Sequence, residues 1–118
     1  MGAVKRTERG WAAHFILAER CRFRRNTLLE SPTESVIIST VGAMVVDDKP
    51  EKIGLNRHYE TMAFGTKMDG PYIDIDVAKY VPFDSPWQIT KITPDVDNKA
   101  NDMHEDVVTE LEQKMEAK

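Results

Sequence analysis

At Pro94 the hydrophobic period of the chain changes, and this change limits the available folds more than any other feature. Beyond it, Ala100, Met103, Val107, Leu111 and Met115 recur every three or four residues, with Val108 widening the stripe. That is the spacing of an amphipathic helix. Asp97 and Asp102 both resemble N-terminal caps, and "DMHE" fits the cap-and-Glu spacing, so the pattern predicts one helix over about 97–116. Before Pro94 the apolar residues alternate or run together, as strands do. "WAAHFILA" (11–18) suits a pleated surface, and "ER" is a turn into "CRFRRNTLLE". "VIISTVGAMVV" is β-branched and too continuous for an exposed edge, which predicts a central strand. "RHYETMAFGT" and "YIDIDVAKYV" read as two further strands. "SPTES", "DDKPEKIG" and "MDGP" are turns or loops. "PFDSPWQITKITP" carries Pro82, Pro86 and Pro94 and predicts irregular or edge structure. Four to five strands in an antiparallel sheet, then one C-terminal amphipathic helix, make an α+β layout. The expectation is a single domain over 1–118, β-rich over 7–92. The helix stripe needs cover, either from this chain's sheet or from a second copy in a homodimer.

Composition narrows the class. The 118 residues are 41% hydrophobic and 31% charged, enough apolar matter for one core and too little polarity for wholesale disorder. "FILA" and "VII" fall far short of the roughly 20 residues of a membrane helix. "MGAVKRTERG" has no apolar stretch of signal-peptide length behind it, and Arg6 stands where a myristoylation signal needs Ser or Thr. Cys21 is the one cysteine, so no internal disulfide forms, and a reducing, cytoplasmic setting is expected. The net charge is −4, but residues 1–30 hold seven basic and three acidic side chains (+4), and residues 31–118 hold nine and seventeen (−8). The acidic balance argues against direct nucleic-acid binding, which needs a net basic surface.

"RCRFRRNTLL" raises the main functional question. Alternation puts Arg20, Arg22 and Arg24 on one strand face and Cys21, Phe23 and Arg25 on the other. Guanidinium groups spaced about 7 Å apart by the pleat suit paired carboxylates or phosphates. The plain alternative is a solvated face, or pairing with downstream carboxylates. Arginine appears four times there and lysine never, which favours an interface, since edge protection alone is served by lysine. Tyr59, Tyr72, Tyr80, Phe83 and Trp87 supply aromatics for a protein-binding hot spot or a base-stacking platform. Tyr59 is the aromatic assigned to the arginine surface. Along "RHYETMAF", His58, Glu60, Met62 and Phe64 share a face, and Asp74 and Asp76 share one in "DID". These four ionisable residues form the skeleton of a metal-assisted hydrolase, or ordinary polar faces of alternating strands. Cys21 and His14 match no nucleophile motif, and Cys21 reads as core. Gly42 stands alone, so "STVGA" is no phosphate loop; a bulge or close packing explains it. No catalytic residue, cofactor or metal is assigned.

Four segments, "RGWAAHFILAERCRFRRNTLL", "IISTVGAM", "RHYETMAF" and "DSPWQI", covering a little under half of the chain, together resemble small proteins of phages, plasmids and bacterial mobile elements. The resemblance attaches to no named family with a settled activity and carries over no catalytic residue. It implies the habit of such proteins, which is to bind and block a host protein, including nucleic-acid-targeting defence components such as CRISPR effectors. The reading is therefore a non-enzymatic inhibitor that occupies a host or bacterial protein or nucleoprotein complex. Arg20, Arg22, Arg24, Arg25 and Tyr59 form one contact surface; Glu105, Asp106, Glu112 and Glu116 on the helix form an acidic second one. A nucleotide- or small-molecule-binding module using the arginine face is the alternative, and the metal-assisted hydrolase is third.

Overall fold

The alternating segments pair into an antiparallel sheet, and the stripe after Pro94 lies along one face of it. The computed structural model describes residues 3–9, 21–47, 49–52, 57–69, 72–80, 88–91 and 93–117. Strands β1 (Lys5–Arg9), β2 (Cys21–Glu30), β3 (Ser35–Val46), β4 (Lys49–Glu51), β5 (Tyr59–Asp69), β6 (Tyr72–Tyr80) and β7 (Gln88–Ile89) precede helix α1 (Val96–Glu116). The main path runs β1-β2-β3-β5-β6, with β4 beside β3 and β7 beside β5. All pairings are antiparallel. This is the α+β arrangement expected from the change of period.

β3 lies between β2 and β5, as its composition predicts. Val36 and Ile38 pack under the helix, and Ile37 and Val41 are buried on the opposite face. A strand covered on both sides has no solvated face to alternate, hence its mostly apolar sequence, interrupted by the buried Ser39 and Thr40.

The helix-facing side is built in cross-strand rows. Phe23, Gly42 and Tyr59 form one row; Arg25, Thr40 and Thr61 form the next. Thr27, Ile38 and Ala63 follow, then Leu29, Val36 and Gly65. Val96, Ala100 and Met103 of α1 pack with Tyr59 and Phe23 at one end. Val107, Val108, Leu111 and Met115 pack on Leu29, Val36, Ile38 and Ala63 at the other. Each Val, Leu, Ile or Met side chain so buried contributes roughly 1.5–3 kcal/mol of transfer free energy. The stripe is therefore covered by this chain's own sheet.

Several details differ from expectation. The helix is capped at Asp95, whose side chain caps no backbone N–H; Asp97 sits in the first turn and Asp102 within the helix. Two other bonds hold this start. Thr93 donates to Asp95 Oδ1 at 2.6 Å, and the Val96 N–H bonds back to the Thr93 carbonyl. "DDKPEKIG" is not wholly loop, since β4 lies within it. Val46 pairs with Lys49, and Asp47 takes φ 50°, the left-handed backbone a two-residue hairpin loop needs. The strand expected at 11–18, the turn at 19–20 and the segment 81–87 lie outside the described residues. Among those described, no helix is long and apolar enough to cross a membrane.

Candidate functional site

Alternation along β2 sorts its arginines. Phe23, Arg25, Thr27 and Leu29 point toward α1, while Arg22 and Arg24 project from the opposite face. Arg20 lies outside the described residues. Arg22 and Arg24 are exposed, and among the described residues neither side chain makes a hydrogen bond or an ion pair. Arg24 opposes Val41, which opposes Glu60. Glu60 accepts from Arg57 Nε at 2.7 Å. The result is an exposed cationic pair about 7 Å apart on the face opposite α1, its nearest acidic row-mate already occupied by another arginine.

Arg25 belongs to a different site. Its Nε donates to Glu8 Oε1 at 2.7 Å and its Nη2 to Glu105 Oε1 at 2.5 Å. Arg6 grips the same Glu105 with two parallel bonds of 2.8 and 2.5 Å, the two-point geometry that suits guanidinium and carboxylate. The hydrogen bonds from Arg6, reinforced by Arg25 and opposed by burial, bring the Glu105 carboxyl down to about 2. Burial pushes Glu8 up, but bonds from Arg25 and Thr27 outweigh it and leave Glu8 below its ordinary value. This cluster joins β1, β2 and α1. Arg25 and Glu105, expected on two separate partner surfaces, satisfy one another instead.

Beneath that cluster runs a polar chain that the sequence reading did not identify. Thr27 Oγ1 donates to Glu8 Oε2 at 2.9 Å and lies 2.7 Å from His104 Nε2. His104 Nδ1 lies 2.7 Å from Thr40 Oγ1, itself 2.6 Å from Thr61 Oγ1. His104, Thr27 and Thr40 have no exposed surface, and Thr61 has 3%. Burial, with a smaller contribution from Arg25, lowers the imidazole to about 4. The signal was available: His104 follows Ala100 by four residues and precedes Val107 by three, squarely on the apolar stripe. A histidine there must find buried partners.

Tyr59, expected beside the arginines, is 1% exposed and faces the helix, on the other side of the sheet from Arg22 and Arg24. Its ring meets Phe23 edge-on at 5.8 Å, and its hydroxyl donates to Asp97 Oδ1 at 2.9 Å. Burial first, and then this bond, hold the phenol well above its ordinary value. Tyr59→Phe keeps the ring and deletes the bond to a carboxylate, so urea denaturation should show a loss of about 1.5 kcal/mol. A loss under about 0.3 kcal/mol would mean that Asp97 does not hold the start of α1 to the sheet.

On α1, Asp106 and Glu116 are exposed and Glu112 is half-buried; with Glu105 engaged, Asp106 and Glu116 remain the open acidic positions of that expected surface. Cys21 is 4% exposed and its thiol is raised by burial, the environment of a core residue. His58 and Glu60 lie on β5, and the side chains of Asp74, Asp76, Tyr72 and Tyr80 lie outside the described set, as do His14, Phe83 and Trp87. Among the described residues no three His, Cys, Asp or Glu side chains gather to hold a metal ion. In comparisons with known proteins, no family model, no curated protein and no solved structure matches this chain.

Proposed function

We propose that this chain is a non-enzymatic binding protein that acts by occupying a macromolecular partner, with Arg22 and Arg24 at the contact. One observation carries the reading. Arg6, Arg25 and Arg57 each hold a carboxylate of this chain, whereas Arg22 and Arg24, exposed and two residues apart, hold none among the described residues. Arginine is the cation enriched at protein interfaces, and a pair at strand spacing presents two forks to carboxylates on an acidic partner. Asp106 and Glu116, on the helix, supply a second contact of opposite sign. The partner class is a host or bacterial protein, alone or within a nucleoprotein complex, in line with the resemblance to mobile-element proteins. Steering by such charges raises association rates and falls with salt.

The test is affinity capture of the tagged protein from a bacterial lysate beside an Arg22→Glu/Arg24→Glu version. Mass spectrometry identifies captured proteins, and ultraviolet absorbance detects nucleotide or nucleic acid. A near-stoichiometric protein is expected with the parent chain and not with the double variant. The variant should melt within a few degrees of the parent, because exposed substitutions usually change stability by less than about 0.5 kcal/mol. Retention of the same partner by the folded double variant would remove the arginines from the contact. Capture of nucleotide alone would favour the small-molecule module, although Tyr59 could not stack on a ligand held by Arg22 and Arg24 from inside the opposite face.

A further inference from the structure

The protons along the buried chain can be placed one by one. Glu8 sits below the ordinary carboxylate range, so it is ionised at neutral pH and its oxygens only accept. Thr27 gives its single hydroxyl proton to Glu8 Oε2 and must therefore accept from His104 Nε2. That makes Nε2 the protonated ring nitrogen and Nδ1 an acceptor. Thr40 then donates to Nδ1, and Thr61 donates to Thr40. Four hydrogen bonds point the same way, from the middle of the sheet, through the helix, to a carboxylate clamped by Arg25.

We propose that His104 is an acid-released latch: the helix docks on the sheet through a neutral imidazole protonated at Nε2, and uptake of a second proton at Nδ1 undoes the docking. The latch lies between the two apolar clusters of α1, so it joins the helix to β2, β3 and β5 at once. A proton on Nδ1 reverses the hydroxyls of Thr40 and Thr61 and places a cation where no surface is exposed. The groups bonded to the ring are Thr27 of β2 and Thr40 of β3, with Thr61 of β5 behind Thr40, all uncharged. The charged neighbours are Arg25 on β2, Arg6 and Glu8 on β1, and Glu105 on the helix itself. Arg25 and Arg6 oppose the second proton. Glu8 and Glu105 favour it, but both carboxylates are already held by arginines.

Burial and Arg25 prevail, and the folded ring titrates at about 4 against an ordinary 6.5. Because the folded value is the lower one, the unfolded chain takes up the proton first as pH falls. The stabilisation is whole above about pH 6.5 and is lost between there and about pH 4. From pH 7 to pH 5 this single group should raise the unfolding constant about 20-fold.

Urea denaturation of the full chain at pH 7 and pH 5, followed by circular dichroism at the helix band, reads that change directly. His104→Gln, with no titrating ring, should show less than about a threefold change over the same interval, since the carboxylates titrate mainly below it. Equal changes in the two proteins would overturn the proposal. Should the variant fail to fold, the ¹⁵N shifts of the parent protein's His104 ring decide the matter alone. Protonated Nε2 with bare Nδ1 at pH 7, and a titration midpoint below pH 5, are expected. The opposite tautomer, or a midpoint near 6.5, would refute the latch.

Discussion

Val107→Asp is expected to unfold the protein. Val107 has no exposed surface and packs with Leu29, Val36, Ile38, Ala63, Leu111 and Met115. Aspartate there loses the burial of the valine, roughly 1.5–3 kcal/mol, and strands a carboxyl within an apolar cluster, at a further cost of several kcal/mol even if it is protonated. A total above about 4 kcal/mol rivals the whole stability of a small domain. Thr109→Asp, two residues along and exposed, carries the same charge and should stay within about 0.5 kcal/mol of the parent. Circular dichroism and size-exclusion chromatography separate the cases. A folded, monomeric Val107→Asp protein derived from a dimeric parent would mean that the stripe is a seam between copies and not the core of one.

Gly42→Ala should cost about 3 kcal/mol. Gly42 stands between Phe23 and Tyr59 in one row, and a Cβ built there runs into the Tyr59 ring at Cγ and Cδ2. The ring cannot give way, because Phe23, Val96, Ala100 and Met103 pack around it and its hydroxyl is tied to Asp97. The tyrosine lies across the glycine backbone, so the lone glycine of "STVGA" serves close packing. Tyr59→Ala removes the obstacle at a cost of its own, about 3–5 kcal/mol. The double variant should therefore be more stable than the sum of the two single losses by more than about 1 kcal/mol. Additive losses in denaturation would mean that the two residues do not conflict.

Period and alternation are local, and what depends on them alone was legible in the sequence. The helix begins one residue from its expected start, β3 is central, and Arg22 and Arg24 share a face from which Arg25 is absent. What depends on which face is covered was not legible. Alternation put Tyr59 and Thr61 on one side of β5 without indicating that α1 would lie over them, so Tyr59 could be read as an exposed aromatic. Asp97 looked like a cap because carboxylates near a helix start usually are; here it serves Tyr59, thirty-eight residues earlier in the chain. Glu105 looked like open acidic surface because its partner Arg6 stands ninety-nine positions away, a separation that no window of sequence spans. β4 was hidden by Lys49, Pro50 and Glu51, residue types that favour loops and are tolerated at a sheet edge. Only His104 had a local signal, being polar at an apolar position of the stripe.

The helix that closes the core follows every strand in the order of translation. Leu29, Ile38 and Ala63, none with any exposed surface in the finished fold, depend for their cover on Val107, Val108, Leu111 and Met115. A nascent chain halted near residue 95 can pair strands but must offer that apolar face to its surroundings, the condition under which partly made proteins aggregate or recruit chaperones. Premature stop codons anywhere before the helix should therefore yield insoluble fragments rather than smaller, weaker versions of the protein.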